Sequence, residues 1–157
     1  KSPENTNPTL KKGMLEKLQL FSHQSAYFSV IKYYKFKSIS NNTEIDNIDT
    51  YSITLVSGIS NANPLLEYLK DNGHNINHLE YSDHHNYSIH DIDNILAEHR
   101  AEESTKKLIL TSEKDATKLR HFSQHFKDVN FYYIPIEIKI DNSEKFKNQI
   151  LDYVEKN

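Results

Sequence analysis

From residue 52 onward, short apolar runs alternate with segments whose apolar residues recur at helical spacing. The clearest runs are Ser52–Ser57, Ile76–Tyr81 and Leu108–Leu110, and an amphipathic segment follows each of them. This alternation is typical of βαβ units, because each helix must cover an apolar face of a parallel sheet. We therefore predict an α/β fold with a three-layer, mostly parallel, Rossmann-like sheet and flanking helices.

The residues that begin the predicted helices have defined local roles. Pro64 suits a first helical turn, because its fixed backbone angle matches a helix and its missing N–H is not needed there. Ser88 predicts a capping box, in which its hydroxyl accepts from the third helical amide while Asp91 bonds back to the cap. Ser112 begins another helix by the same Ser-x-x-acid pattern.

The last strand and the last helix are predicted from their apolar periodicities. Isoleucines alternate with polar residues over 134–140, which predicts one strand with one wet face, and Pro135 assigns it to a sheet edge. The helix that follows Pro64 carries Leu65, Leu66 and Leu69. In the later helices we expect the apolar positions to face the core: Ile89, Ile92, Ile95, Leu96, Ala116, Leu119, Phe122, Phe146, Ile150, Leu151 and Val154.

The first third of the chain has a different character. Residues 8–21 have a helical period, and Ala26–Phe36 is rich in aromatic and β-branched residues, which predicts a strand. Ser38–Thr50 has few apolar residues and is typical of a linker. We therefore predict a domain boundary near residue 50, with a β-rich connecting segment in 1–50 and a C-terminal α/β domain in 51–157.

Composition excludes several classes of protein. The 157 residues include no cysteine, which excludes disulfides, a thiol nucleophile and thiolate zinc sites. The net charge of −3 is spread among interspersed acids and bases, so we predict no nucleic-acid partner. No apolar stretch approaches the roughly 20 residues that span a bilayer, so we expect a soluble piece. Because the sequence opens at Lys1 and its only methionine is Met14, we expect it to start inside a longer product.

Asp83 and His84 follow a predicted strand at the end where ligands bind in α/β sheets. A carboxylate beside an imidazole can fix its tautomer, and imidazoles titrate near neutral pH, so the pair could orient or deprotonate a hydroxyl group. The structural alternative is that Asp83 caps a turn and that both histidines of the Asp-His-His run are solvated loop residues. His85 is predicted to be structural.

Two further strand-to-helix junctions could contact a ligand. At Thr111–Asp115 the free helix amides could hold an anion such as a phosphate, with Lys114 as the preferred contact, although capping by Ser112 also explains this pattern. Gly58 and Asn61 could let a ligand approach the backbone closely, although a glycine after a strand more often permits a tight turn. No metal site is predicted, since His121 and His125 lack a third ligand.

Four segments together resemble a known family. They are LVSGISN at 55–61, DHH at 83–85, LTSEKDA at 110–116 and YIPIE at 133–137. In this order and at these separations they resemble the tetraacyldisaccharide 4'-kinases, the lipid A 4'-kinase family. The match covers most of 52–156, which corresponds to the C-terminal half. Ala62 is a departure, because the family often has proline directly after the asparagine.

The resemblance implies an activity and roles for residues. A complete enzyme would transfer the γ-phosphate of ATP to the 4'-hydroxyl of a tetraacyldisaccharide 1-phosphate, with His84 acting beside an aspartate of the other half. ATP and Mg²⁺ would be bound by a glycine-rich loop in that half, and residues 1–50 would contain its end. No Gly-Lys-Ser/Thr occurs in this chain, so we expect it to bind neither ligand and to be inactive alone.

The resemblance also implies partners and a location. The partners would be the lipid A disaccharide precursor, the chain's own P-loop half and, through that half, the membrane surface at the cytoplasmic face of the bacterial inner membrane. Two alternatives remain open. One is a metal-dependent phosphoesterase that uses the Asp-His-His run, and the other is a non-catalytic α/β interaction module.

Overall fold

The computed structural model describes residues 8–46 and 49–156. They form two compact units, one of residues 8–33 with 136–156 and the other of residues 34–135. Residues 1–7, the start of the segment that the resemblance assigns to the end of the nucleotide-binding half, lie outside the described residues. The helices and strands follow in chain order: α1 Pro8–Leu18, β1 Ser29–Tyr33, β2 Phe36–Ser38, β3 Glu44–Ile45, β4 Ser52–Ser57, α2 Asn63–Asp71, β5 Asn75–Glu80, α3 Ile89–Ala101, β6 Lys107–Ser112, α4 Glu113–Leu119, a 3-10 helix Arg120–Phe126, β7 Phe131–Ile134, β8 Ile136–Ile140 and α5 Ser143–Glu155.

The larger unit is built on a six-stranded sheet of order β3-β2-β7-β6-β4-β5. β5, β4, β6 and β7 are parallel to one another, and β2 and β3 extend the sheet as antiparallel strands. The prediction of a mixed α/β fold with a mostly parallel sheet is therefore confirmed.

The order of the strands decides which face each helix covers. The chain leaves β4 for β5 on one side, then crosses to β6 and β7 on the other side. Because such crossovers are right-handed, α2 lies on one face while α3 and α4 lie on the opposite face. Ile92 and Ile95 of α3 and Leu119 of α4 form one core cluster with Val56 and Ile109 of the sheet. This produces three layers around the central strands.

The smaller unit contains one antiparallel strand pair and two helices. β1 pairs with β8 from Ser29 opposite Ile140 to Tyr33 opposite Ile136. Asp141, directly after β8, connects α1 to the residue before β1. Its carboxylate accepts hydrogen bonds from Lys11 Nζ at 2.9 Å and from the Phe28 N–H at 2.9 Å.

Both predicted strands at the margins of the larger unit are divided. The stretch 26–36 forms part of β1 and the start of β2, and the stretch 134–140 is interrupted at Pro135 between β7 and β8. The two halves of each stretch belong to different sheets. Proline cannot donate to a sheet ladder, while the Pro135 carbonyl accepts the Tyr34 N–H at 3.1 Å. The contacts thus divide the chain near residues 34 and 135, and the predicted linker Ser38–Thr50 contributes Ser38 and Glu44–Ile45 to the strands of the larger sheet.

Several apolar helical residues that were predicted to be buried are exposed. In α5, Ile150, Leu151 and Val154 are exposed, and Phe146 is half-buried. Ile89 of α3 is 50% exposed, whereas Ile92 and Ile95 of the same helix are completely buried in the core cluster. Helix α1 ends at Leu18, before Phe21, and leaves Leu10 and Leu18 exposed. A helical period shows which residues share a face, but it does not show whether anything packs on that face.

Among residues 8–46 and 49–156, no helix combines the length and the apolar character that crossing a bilayer requires.

Candidate functional site

The candidate site lies at the edge of the sheet where the parallel strands end. Gly58 follows β4, Asp83 lies three residues after β5, and Ser112 ends β6. β4 is the strand at which the connections change direction, so the crevice between the ends of β4 and β6 is the topological switch point. Open α/β sheets bind their ligands at this position. The fold therefore brings the predicted residues Gly58, Asp83, His84 and Lys114 to the ligand-binding edge of the sheet.

The loop Ser82–Tyr87, here called the histidine loop, presents His84 to solvent. The side chain of His84 is 76% exposed, and its Nε2 lies 3.8 Å from Asp83 Oδ2. The backbone is unusual, since φ of His84 is +60°, a left-handed conformation that is uncommon for residues other than glycine. The His84 N–H donates to Gly58 O at 3.2 Å and to Asp83 Oδ1 at 3.0 Å. Backbone hydrogen bonds therefore fix the position from which the imidazole projects.

Asp83 is paired with a cation from the neighbouring helix. Lys114 Nζ donates to Asp83 Oδ1 at 2.9 Å, and both side chains are about 40% exposed. This hydrogen bond from the Lys114 ammonium lowers the pKa of the Asp83 carboxyl below its ordinary value. Asp83 is therefore an anion at neutral pH.

A fully buried carboxylate, Asp115, underlies the site. Its Oδ2 accepts the Gly58 N–H at 3.0 Å and the Ser112 hydroxyl at 2.6 Å, while the Asp115 N–H donates to Ser112 Oγ at 3.1 Å. Burial, and then the nearby Asp115 carboxylate, raise the pKa of Tyr87 in the same pocket. The Ser-x-x-acid pattern predicted the capping by Ser112, but it did not predict the bond to Gly58, which is 57 residues away in sequence.

Gly58 is the point where these groups converge. A β-carbon added to it would lie 3.1 Å from Asp115 Oδ1, 3.2 Å from the Tyr87 hydroxyl and 3.3 Å from the Ser82 carbonyl oxygen. Such contacts are shorter than ordinary van der Waals distances. A larger residue here would require the Asp115 carboxylate, the Tyr87 phenol or the Ser82 carbonyl to shift by a few tenths of an ångström.

The other predicted substrate contacts have different surroundings. Thr111 is completely buried, and its Oγ1 donates to the Val56 carbonyl at 2.9 Å. Asn61 is exposed, and its side-chain oxygen accepts the Asn63 N–H at 3.0 Å at the start of α2. The structure therefore does not bring the Thr111 hydroxyl to the exposed surface of the site.

His85 has a structural environment. Its Nε2 lies 3.1 Å from Asp91 Oδ2, and its ring packs between Tyr81 and Tyr87 at centroid distances of 4.7 and 5.0 Å. Asp91 also completes the predicted capping box with Ser88. Burial by itself would raise the pKa of the Asp91 carboxyl, but the hydrogen bonds from Ser88 and His85 lower it. His85 thus anchors the histidine loop to the start of α3.

Within the part of the chain that the structure describes, no group of three or more His, Asp or Glu side chains is arranged to hold a metal ion. Di-metal phosphoesterases require several such ligands from neighbouring strand ends. This arrangement therefore does not favour the phosphoesterase alternative.

The sequence matches one family of known proteins. A family model described as tetraacyldisaccharide-1-P 4'-kinase matches residues 5–155. A tetraacyldisaccharide 4'-kinase of Bacteroides thetaiotaomicron is 34% identical to the chain over 173 residues. A tetraacyldisaccharide 4'-kinase of Flavobacterium psychrophilum is 28% identical and aligns with 99% of the chain. These relatives are much longer, because the chain spans 45% of the first and 43% of the second.

A solved structure has the same fold. The crystal structure of the "apo" form of LpxK from Aquifex aeolicus in complex with ATP aligns with a TM-score of 0.50 and 17% sequence identity. The alignment covers 88% of this chain and 39% of that chain. At this identity the likeness supports the fold alone, whereas the family model extends over nearly the whole sequence. The chain belongs to the tetraacyldisaccharide-1-phosphate 4'-kinase family.

Proposed function

We propose that this chain is the acceptor-side portion of a kinase that phosphorylates the 4'-hydroxyl of a tetraacyldisaccharide 1-phosphate, with ATP as the phosphate donor. The observation that carries the proposal is the family match over residues 5–155, together with an exposed Asp83-His84 pair at the switch point of the sheet. The relatives named above are kinases of this substrate class by name.

In this proposal His84 handles the proton of the acceptor hydroxyl. An imidazole can accept a hydroxyl proton or orient it toward another base, and the side chain of His84 is 76% exposed. The anionic Asp83 stabilises the imidazolium that forms. An aspartate from the remainder of the enzyme would complete this arrangement.

We assign ATP and Mg²⁺ to the part of the enzyme that this chain does not match. The chain has three glycines, and none precedes a Lys-Ser or Lys-Thr pair. A P-loop needs a series of free backbone N–H groups around the phosphates, whereas the Gly58 N–H is already donated to Asp115. These residues do not fit a nucleotide phosphate, so in this proposal the nucleotide is bound by the remaining part of the enzyme.

The remaining part of the enzyme is also the partner that we propose for the smaller unit. Apolar side chains of α1, β8 and α5 are exposed there, including Leu18, Ile138, Ile150 and Val154. An exposed apolar surface of this kind marks an interaction site. Through this partner the complete enzyme would meet its lipid substrate at the cytoplasmic face of the bacterial inner membrane.

The test is a kinase assay with tetraacyldisaccharide 1-phosphate and radiolabelled ATP. The chain alone is compared with a chimera in which it replaces the matched segment of the Bacteroides thetaiotaomicron relative, and with a mixture of the chain and the rest of that relative. We expect no turnover by the chain alone and turnover by the chimera. In the chimera, His84→Ala should lower kcat by about 10²–10⁴-fold, and His90→Ala, an exposed control on α3, should not. Turnover by the chain alone, or an unaffected His84→Ala chimera, contradicts the proposal.

A further inference from the structure

One face of the short helix α4 holds the histidine loop at three separate points. Lys114 Nζ donates to Asp83 Oδ1 at 2.9 Å, and Lys118 Nζ donates to the His85 carbonyl at 2.7 Å. Asp115 Oδ2 accepts the Gly58 N–H at 3.0 Å, and the Gly58 carbonyl in turn accepts the His84 N–H at 3.2 Å. The two lysines are four residues apart and therefore lie on the same side of the helix. The residues on either side of His84, and His84 itself, are thus each tied to α4, directly or through Gly58.

These contacts hold His84 in a backbone conformation that is disfavoured for residues other than glycine. A left-handed backbone at a residue other than glycine costs free energy and persists only where the surrounding structure determines it. The imidazole, which is mostly exposed, makes few contacts that could determine it. The direction of the ring from the sheet edge is therefore set by the contacts on its neighbours.

We infer that Lys114, Asp115 and Lys118 of α4 are positioning residues, which act through Asp83, Gly58 and His85 to hold His84 in the left-handed conformation that presents its imidazole at the sheet edge. This inference rests on the proposed function for its consequence in catalysis, but its structural content does not depend on that function. It gives Lys114 a protein partner where the sequence suggested a substrate phosphate.

Burial makes the central contact of this arrangement costly to lose. Asp115 is fully buried, and a buried carboxylate is stable only when hydrogen bonds replace its hydration. The hydrogen bond from the Gly58 N–H therefore stabilises the buried carboxylate and also holds Gly58, which accepts the His84 N–H. Lys114 adds its ion pair with Asp83, at 2.9 Å, in the first turn of the same helix.

The first test uses the ¹⁵N-labelled chain by NMR, without substrate. Lys114→Met should raise the rate of solvent exchange at the His84 amide by about two- to fivefold, as expected for one exposed ion pair, and should shift the imidazole signals of His84. Lys114→Arg, which keeps a cation that can donate to Asp83, should restore the wild-type values. Lys70→Met, at an exposed lysine of α2, is the matched control. Unchanged His99 signals would show that the core is intact.

The second test uses the kinase chimera and separates positioning from substrate binding. If Lys114 positions His84, Lys114→Met should lower kcat and leave the KM for the lipid substrate within about twofold, because only the transition state is affected. A raised KM with unchanged kcat would instead assign Lys114 to the substrate and overturn the inference.

The two tests fail independently. His84 signals in Lys114→Met that match those of wild type overturn the inference whatever the kinase result. Altered His84 signals together with a fully active His84→Ala chimera leave the role of α4 in place and contradict the proposed function instead.

Discussion

The Asp115 carboxylate accepts the Gly58 N–H at 3.0 Å and so joins the ends of two neighbouring parallel strands. Asp115 lies in the first turn of α4, directly after β6, and Gly58 directly follows β4. This contact spans the crevice at which α/β proteins bind their ligands. It connects the helix that follows one strand to the histidine loop that follows another, because the Gly58 carbonyl bonds to the His84 N–H.

Asp115→Asn should destabilise the chain. The substitution replaces a carboxylate oxygen in a fully buried site with an amide group. The amide has one oxygen to accept hydrogen bonds, and its NH₂ group would be buried beside the donors Gly58 N–H and Ser112 Oγ. We expect a loss of about 1–3 kcal/mol in the free energy of unfolding, measured by urea denaturation. Asp93→Asn, at an exposed position of α3, should change it by less than about 0.5 kcal/mol. Equal effects of the two substitutions would contradict the role given to Asp115.

Gly58→Ala and Gly13→Ala should have effects of opposite sign. The new β-carbon at position 58 would press on Asp115 and Tyr87, and such overpacking costs about 1–3 kcal/mol. At Gly13, inside α1, no heavy atom lies within 4 Å of the added carbon, and alanine favours a helix by about 0.5–1 kcal/mol. Thermal unfolding of both variants, followed by circular dichroism, measures the difference. If Gly58→Ala unfolds at the same temperature as wild type, the site can accommodate a methyl group and the prediction is wrong.

The stability of the chain should fall at mildly acidic pH through His99. This side chain is buried on α3, and its Nδ1 lies 3.4 Å from Thr54 Oγ1. Its pKa is lowered first by burial and then by the positive charge of the nearby Lys107. The unfolded chain therefore takes up a proton at higher pH than the folded chain does. Stability is fully present above the unfolded value of about 6.5 and is lost as the pH falls toward the lowered pKa.

His99→Gln removes this titration. Between about pH 7.5 and pH 5.5 the loss of unfolding free energy should become smaller than in wild type, by at most about 1.4 kcal/mol for one group. His90→Gln, at an exposed position of the same helix, should keep the wild-type pH dependence. Urea denaturation at both pH values measures the free energy of unfolding of wild type and of each variant. A His99→Gln variant with the full acid sensitivity of wild type would assign that sensitivity elsewhere, for example to His78, whose pKa burial also lowers.

The titration of Asp83 should report its ion pair. The Lys114 hydrogen bond lowers the pKa of this carboxyl, so the pair is present above the ordinary aspartate pKa and is lost as the pH falls through the lowered value. In Lys114→Met the carboxyl pKa should rise toward its ordinary value, and in Lys70→Met it should not. Carboxyl ¹³C NMR of the labelled chain measures the pKa of Asp83 in both variants. An unshifted Asp83 in Lys114→Met would mean that the ion pair is not populated in solution.

Local sequence signals predicted those features that depend on neighbours in the chain. The capping box of Ser88 and Asp91 and the cap at Ser112 are confirmed, because a helix start is decided within about four residues. The division of 26–36 and 134–140 between two sheets was not predicted. Both stretches have an unbroken strand pattern apart from Pro135, and the choice of partner strand depends on residues about a hundred positions away in the sequence.

The burial of helical residues was predicted less well than the helices themselves. Ile92 and Ile95 enter the core as expected, whereas Ile150 and Val154 have the same period and remain exposed. Periodicity determines which face of a helix is apolar, but burial also requires a second surface. For α5 that surface is expected on a partner, since the relatives are about twice as long as this chain.

The sequence by itself determined the α/β class, the helix starts and the family, because each depends on short sequence patterns that do not require any tertiary contact. The tertiary structure alone decided that Asp115 reaches Gly58, that Lys114 pairs with Asp83 and that Thr111 is turned into the sheet. These contacts join segments between 31 and 57 residues apart. They depend on the order of the strands, which places the ends of β4, β5 and β6 side by side and which no local pattern specifies.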